Sequence, residues 1–193
     1  MCIRDRGSTA ERVEPAGGAA TVAVMAEPDL RSTIRADLAA NAGSPKGKVA
    51  VVAFRLAHAV RGSGRPRPWA VPVLLVYRLL VDWVMGIEIP PGVEAGPGLA
   101  VFHGTGLVLH SGTRLGAGVT LRQGTTIGAR GDGPGPDGQA PVLGDRVNVG
   151  VGALIIGPYR IGDDAVVGAG AVVVDDVPAG ATVVGNPARV VPS

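Results

Sequence analysis

The hydrophobic residues in the C-terminal half of the chain recur with a period of six. Between positions 89 and 184, an aliphatic residue or alanine leads each hexapeptide, and glycine often follows it. A second small or apolar residue stands four positions after the leader. The leaders form three series, with a two-residue slip after the first series and a longer interruption after the second. They are Ile89, Ala95, Val101 and Leu107; Leu115, Leu121 and Ile127; and Leu143, Val149, Ile155, Ile161, Val167, Val173 and Ala179.

A six-residue period matches neither an amphipathic helix nor an alternating strand. It is typical of a β-solenoid, in which each hexapeptide forms one short strand and one corner. The leaders of successive coils stack in the interior, and each coil is covered by its neighbours, so several coils are needed for a dry core. The 14 candidate hexapeptides, at three per coil, predict between four and five coils.

Residues 28–85 have a helical pattern instead. We predict helices over 28–42 and 48–61, separated by a turn at 44–47, and a third, very apolar helix over 69–85 that is interrupted by Pro72. Arg78 and Asp82 make the third helix a poor membrane span. We expect it to lie against the first coil or a neighbouring subunit, with peripheral contact to a membrane surface as the alternative. The stripes predicted to be buried are Leu30, Ile34 and Leu38, and Val49, Val52, Leu56 and Val60.

The charge of the chain is unevenly distributed. Residues 1–85 hold 12 Lys/Arg against 7 Asp/Glu, whereas residues 86–193 hold 6 against 9. A basic flank is compatible with an anionic membrane surface or a nucleic acid. No nucleic-acid recognition motif or aromatic platform accompanies it, so we expect no nucleic-acid partner.

The first residues do not enter the fold prediction. We interpret residues 1–6 as a translated sequencing adapter, and we expect residues 7–27 to be disordered and the native start to be Met25 or an upstream residue. Without Cys2 the chain has no cysteine, which excludes disulfides and thiolate metal sites and fits a cytoplasmic protein. The predicted organisation is a disordered segment at 1–27, a helical segment at 28–85 and a solenoid at 86–193.

Four segments resemble the hexapeptide-repeat acyltransferases, especially the serine acetyltransferases and their relatives in exopolysaccharide synthesis. They are the repeats, Gly86-Ile87-Glu88-Ile89-Pro90-Pro91, Phe102-His103-Gly104-Thr105-Gly106 and the tail Gly185-Asn186-Pro187-Ala188-Arg189. The resemblance covers roughly residues 28–192. It implies a left-handed parallel β-helix, acetyl-CoA as co-substrate and a homotrimer with active sites between subunits.

The resemblance also implies a catalytic pair. His103 matches the family's general base, which takes a proton from the acceptor hydroxyl, and the imidazole of histidine titrates in the range that suits this role. Glu88 matches an aspartate that pairs with the base, so we expect Glu88 to orient His103. The two residues are 15 positions apart, which can place them on adjacent coils near one corner.

The acceptor-binding candidates are His110, Arg122 and Gln139. His110 stands near the register slip, and Arg122 is a cation that could replace a missing one. Gln139 lies in the interruption, loop 129–141, where the resembled enzymes have an Arg-His pair that helps bind serine. Pro90 and Phe102 also depart from the serine-binding pattern, so the acceptor stays open between L-serine and a sugar hydroxyl. Two coil histidines without a third ligand give no metal site.

We expect acetyl-CoA to lie along the coils, where small residues let its pantetheine approach the main chain. The candidate residues are Gly150, Gly152, Ala153, Gly168 and Ala169, with Arg189 in tail 185–193 near the nucleotide end; corner geometry alone is the alternative reason for the glycines. The sequence therefore predicts an acetyl-CoA-dependent O-acetyltransferase, with L-serine, as in cysteine biosynthesis, as the nominal acceptor. The alternatives are a sugar of an exopolysaccharide precursor and an inactive trimeric scaffold.

Overall fold

The computed structural model describes residues 29–62, 68–130 and 140–191. Its N-terminal part is helical. Helix α1 covers Leu30–Ala40 and helix α2 covers Pro45–Arg61. A 3-10 turn at Pro68–Ala70 leads into α3, Val71–Tyr77, which continues without a break as one stretch of π-helix, Arg78–Val84.

Fifteen short strands follow within the described residues. They are β1 Ile87–Glu88, β2 Glu94–Ala95, β3 Ala100–Phe102, β4 Leu107–Leu109, β5 Arg114–Leu115, β6 Thr120–Arg122, β7 Thr126–Gly128, β8 Val142–Leu143, β9 Asn148–Val149, β10 Leu154–Ile156, β11 Arg160–Ile161, β12 Val166–Val167, β13 Val172–Val173, β14 Thr182–Val184 and β15 Arg189–Val190.

These strands form three sheets, one on each side of a prism. Sheet A is β1-β4-β7-β10-β13, sheet B is β2-β5-β8-β11, and sheet C is β3-β6-β9-β12-β14-β15. Every pairing is parallel except that of β14 with β15. The chain visits the sheets in the order A, B, C and then moves to the next coil, which confirms the predicted parallel β-helix with an N-terminal helical segment.

The hexapeptide leaders fill the interior. All but two of the 14 predicted leaders are buried, and so are all eight residues four positions after a leader, such as Val119 and Ala171. Ala95 is partly buried and Ala179 is exposed. Ala179 was assigned wrongly because the last coil is two residues shorter, so Val177 stacks on Ile161 instead.

The structure also moves the two-residue slip. Leu109, not Leu107, stacks on Ile127 in sheet A. Phe102 pairs with Arg122, so the two extra residues lie in corner 103–106, before β4 rather than after Leu107. The sequence pattern could not place the slip because Leu107 and Leu109 are both buried on the same face of β4.

Neither of the first two helices buries its predicted apolar stripe, since Leu30, Val49 and Leu56 are exposed. Helix α2 buries a different apolar face, Ala50, Val51, Phe54 and Ala57, together with Arg55. Helix α1 and its C-cap instead bury the polar residues Asp37 and Asn41, because of the surface that α1 covers. The first coil presents a row of unpaired N–H and C=O groups, and a buried edge of this kind needs polar partners.

Side chains from α1 and α2 supply those partners. Asn41 accepts a hydrogen bond from Val101 N and donates one to the carbonyl of Leu99, both at 2.8 Å. Ser44 donates to the carbonyl of Val101 and accepts from Gly47 N as the N-cap of α2. Residues 44–47, predicted as a turn, are therefore the start of α2, with Pro45 in the first helical position.

Helix α3 and its π-helical extension cover the remaining edge of the first coil. The Tyr77 hydroxyl donates to the carbonyl of Ile89 at 2.6 Å, and burial, aided by Asp82, raises the pKa of Tyr77. The inward stripe contains Ala70, Tyr77 and Val81. None of the helices in the described part of the chain combines the length and apolar character that crossing a bilayer requires.

Candidate active site

His103 occupies an unusual corner between sheets C and A. Phe102 pairs with Arg122 and Val108 pairs with Thr126, so this corner holds two more residues than the one on the next coil. His103 has a left-handed φ of 63° and is exposed. Such backbone strain in a non-glycine residue, which costs on the order of 1–3 kcal/mol, is concentrated at functional sites.

Gly104 explains how the enlarged corner is held. A Cβ at this position would come within 2.6 Å of Cδ1 of Ile87, and its φ is 61°. Gly104 therefore fills the interior side of the corner, where no side chain fits. Its neighbour His103 is left on the outer side, as the sequence predicted for a reachable base.

The corners beneath His103 form a continuous track. We call residues 103–106, 123–125, 150–153 and 168–171 the His103 column. Its coils are joined by hydrogen bonds from Gly124 N to Thr105 O, from Gly152 N to Gln123 O, and from Gly170 N to Val151 O. The predicted base and the coil residues predicted to bind the cofactor thus lie along one edge of the prism.

The cofactor-binding candidates in this column differ in accessibility. Gly152 and Ala169 face outward, and a Cβ on Gly152 would meet nothing within 4 Å. At Gly150 and Gly168 a Cβ would collide with the next coil, at 2.5 Å and 2.7 Å. Ala153 is fully buried, so its side chain points into the core and cannot contact a ligand.

Arg189 lies apart from the corners, at the C-terminal end of the solenoid. It is exposed on β15, and its guanidinium donates to the carbonyl of Ala188 at 2.9 Å. The preceding turn folds back onto β13, since Ala188 N donates to Val172 O. The side chain therefore lies at the far end of the solenoid from His103.

Glu88 lies on the outer face of β1, opposite Val108. It is exposed, and the described residues contain no ion pair or hydrogen bond between Glu88 and His103. Its charge does act on Asp82: burial raises the pKa of Asp82, Arg78 lowers it, and Glu88 raises it further. The orienting role of Glu88 stays a prediction.

The acceptor-binding candidates are separated. Arg122 lies on β6 beside the His103 corner, with its guanidinium 5.9 Å from the centre of the Phe102 ring, and it donates to the side chain of Asn148. His110 follows β4 and lies in the corner between sheets A and B, whereas His103 precedes β4. The Nδ1 atom of His110 accepts a hydrogen bond from Gly112 N at 3.1 Å. Gln139 falls outside the described residues.

The corner of His110 is also the root of the loop. Strand β7 ends at Gly128 on sheet A, and β8 begins at Val142 on sheet B. A Cβ on Gly112 would lie 3.2 Å from Cβ of Ala140. Within one chain, His110 and the loop root therefore share one corner, and His103 occupies another.

Two polar residues near His103 were missed by the sequence interpretation. Lys46, in the first turn of α2, places its Nζ 2.6 Å from Oγ1 of Thr105. Gln123 follows Arg122 and begins the next corner of the column, and its buried Oε1 has no partner among the described residues. Gln123 lies 20 residues after His103, and the two residues are recognised as equivalent positions on neighbouring coils only when the slip is placed in corner 103–106.

Replacing Gln123 with methionine separates a structural role from a ligand-binding one. A buried amide oxygen without a partner costs about 1–3 kcal/mol, so Gln123→Met is expected to keep or raise the melting temperature. If the amide serves a ligand in the His103 column, kcat/KM falls about tenfold, the worth of one hydrogen bond. Thermal denaturation and steady-state kinetics measure both.

Thr113→Val is the control for the stability measurement. The Thr113 hydroxyl is also buried and has no partner among the described residues, but it lies in the His110 corner rather than in the His103 column. This variant is expected to gain stability for the same reason. Unchanged kinetics in Gln123→Met would contradict the role of Gln123.

No three His, Cys, Asp or Glu side chains within the described ranges cluster as metal ligands. The arrangement instead presents one exposed imidazole above a track of small corner residues. Such a site can accept a proton and hold a long, mostly neutral ligand against the main chain.

Comparison with known proteins gives consistent matches, although no family model matches the chain. A serine acetyltransferase of Helicobacter pylori is 39% identical over 142 residues, which is 74% of this chain and 79% of that protein. The putative colanic acid biosynthesis acetyltransferase WcaB of Escherichia coli K12 is 36% identical over 80% of this chain and 96% of its own length. The soybean serine acetyltransferase apoenzyme superposes with a TM-score of 0.74 and 35% identity, covering 85% of this chain and 69% of that one.

Proposed function

Because the chain belongs to the serine acetyltransferase family of hexapeptide-repeat acyltransferases, and is therefore an O-acetyltransferase, we propose that it transfers the acetyl group of acetyl-CoA at the His103 corner. The observation that carries the proposal is the placement of His103. It is exposed on an enlarged corner, at the head of a column whose residues Gly152 and Ala169 face outward.

In this mechanism the His103 imidazole accepts the proton of the acceptor hydroxyl as its oxygen attacks the thioester carbonyl. The tetrahedral intermediate collapses with cleavage of the C–S bond. The imidazolium returns its proton to the departing CoA sulfur, so the products are an acetyl ester and a free thiol. Glu88 would stabilise the imidazolium if it turns toward His103 in the complex.

The continuous run of corner residues supports binding of the pantetheine of acetyl-CoA along the His103 column. Its amides can exchange hydrogen bonds with main-chain groups at the outward-facing corners, while Arg189 is a cation available for phosphate at the C-terminal end. Room for this ligand exists at Gly152, where a Cβ would meet no atom within 4 Å.

The separation of the two corners supports sites between subunits of a trimer. Threefold symmetry brings a different corner of each neighbour to the same interface. The His103 column of one subunit can thus face the His110 corner and loop root of the next. This arrangement would bring His103 close to His110 and the loop root, which lie at separate corners of a single chain.

Two acceptors fit the relatives. L-serine is indicated by the serine acetyltransferases, and a sugar hydroxyl by the colanic acid acetyltransferase, of which the match spans 96%. The sequence favours the sugar at one point: Gln139 and Ala140 stand where the resembled enzymes have an Arg-His pair. The neighbour of the base is Phe102, whose ring lies under Arg122.

An acceptor panel tests the proposal directly. Thiol release from acetyl-CoA is measured with L-serine, homoserine and sugar acceptors, and the acetylated product is identified by mass. We expect turnover with at least one hydroxyl acceptor. Turnover on sugars but not on L-serine would assign the departures at Phe102 and Gln139 to acceptor choice, and binding of CoA without any turnover would favour the inactive scaffold.

A further inference from the structure

The helix of residues 68–84 buries one narrow stripe and exposes the rest of its apolar surface. Ala70, Tyr77 and Val81 face the solenoid. The other faces are exposed and apolar apart from Arg78. Trp83 and Val84 are the most exposed of these residues, and Trp69, Leu75, Val76 and Leu79 are also more than half exposed.

A helix that is apolar on all sides is normally covered on all sides. A contiguous patch of this kind, which we call the Trp69–Trp83 face, marks a binding surface. Val76, Leu79 and Leu80 lie between the two tryptophans along the chain, and all three are exposed. The tryptophans are 14 residues apart, so an indole stands near each end of the face.

The exposed charge of the helical segment is mainly basic. Its described residues, 29–62 and 68–85, contain seven Lys/Arg, three Asp and no Glu. Arg55 and Asp37 are buried as a pair, and the side chain of Asp82 is 17% exposed and pairs with Arg78. The helical segment therefore carries basic side chains as well as the Trp69–Trp83 face, while the acidic excess of the chain lies on the solenoid.

We propose that the Trp69–Trp83 face docks on an anionic lipid surface, with the helix lying parallel to the membrane plane. Tryptophan side chains prefer the interface between headgroups and acyl chains, and each Lys or Arg near an anionic leaflet adds attraction. The described helices do not cross a bilayer, so the contact is peripheral.

Docking would also place the His103 corner near the membrane, and only the meaning of this placement for catalysis rests on the proposed function. The helix ends two residues before Gly86, whose carbonyl accepts a hydrogen bond from Gly106 N of the His103 corner at 2.7 Å. A helix held at the surface therefore brings the His103 corner close to the lipid headgroups. An acceptor anchored in the membrane would then reach His103 without leaving the membrane.

Vesicle sedimentation of the full chain tests the proposal. The protein is mixed with vesicles of phosphatidylcholine alone or with added phosphatidylglycerol. We expect binding to the mixed vesicles that weakens with salt. The double variant Leu79→Ser/Trp83→Ser should bind at least about tenfold more weakly, because each large side chain contributes more than a factor of ten on burial. Val174→Ser, which removes an exposed apolar residue after β13 and outside the Trp69–Trp83 face, should bind like the wild type.

Three results would overturn the proposal: no binding to mixed vesicles, equal binding by the double variant, or equal loss in Val174→Ser. A change in assembly mass of the double variant, measured by sedimentation velocity, together with absent vesicle binding, would assign the face to a second copy of the chain. Circular dichroism confirms that the variants are folded. Acetyl transfer to a dissolved acceptor, assayed without vesicles, should be the same in the double variant, so failure of docking is distinguishable from failure of the proposed reaction.

Discussion

Replacing His103 with alanine is expected to lower kcat about 10²–10⁴-fold, the usual contribution of a positioned general base, while the β-helix stays folded. The imidazole is exposed and makes no hydrogen bond with the described residues, so its removal leaves no cavity and no unpaired group in the core. Because His103 adopts a left-handed φ of 63°, alanine keeps similar strain, and the melting temperature should change little. Thiol release from acetyl-CoA under saturating acceptor measures the loss.

Two further variants make this experiment specific. His58→Ala removes a histidine that lies outside the column and whose Nδ1 is 2.9 Å from the Pro91 carbonyl oxygen; it should lose some stability and keep its turnover. Glu88→Gln keeps the shape of the predicted orienting carboxylate and removes its charge. A smaller loss of kcat together with a displaced pH profile would support that role, since a carboxylate far from the reaction would affect neither. Near-normal turnover in His103→Ala would exclude the mechanism.

The period of six predicted the solenoid well because burial follows it closely. Leaders such as Leu121 and Val149 are fully buried, and the resemblance singled out His103, which is exposed. The period could not place the insertion, because the alternation within β4 buries both Leu107 and Leu109. It therefore missed that the two extra residues enlarge the corner of the candidate base itself.

The helices were harder to predict for a physical reason. An apolar stripe indicates the buried face when a helix packs on apolar side chains. Helix α1 packs on the open edge of a coil, where N–H and C=O groups require polar partners, so Asp37 and Asn41 face inward and Leu30 faces out. Nothing in the local pattern says which kind of surface a helix will meet.

That polar edge leads to the largest expected effect on stability. Asp37 accepts hydrogen bonds from Gly98 N at 2.8 Å and Leu99 N at 2.9 Å, and from Arg55 Nε at 2.8 Å. Arg55 in turn donates to the carbonyls of Ala95 and Gly96, each at 2.6 Å. Both side chains are almost fully buried, so the pair joins both helices to the first coil.

Asp37→Ala is expected to destabilise the protein by about 3–5 kcal/mol, because it leaves the Arg55 charge buried without its partner. Urea denaturation measures the change in the free energy of unfolding. Glu94→Ala breaks the exposed pair with Arg114, which spans 3.2 Å, and should cost less than about 1 kcal/mol.

The double variant Asp37→Leu/Arg55→Met tests what the pair is for. Buried ion pairs can often be replaced by apolar residues at little cost, but here the same side chains satisfy four main-chain groups of the first coil. The double variant should therefore stay well below the wild type in stability, because apolar side chains cannot bond those N–H and C=O groups. Full recovery would show that the pair is an ordinary buried salt bridge and that the coil edge tolerates being left unpaired.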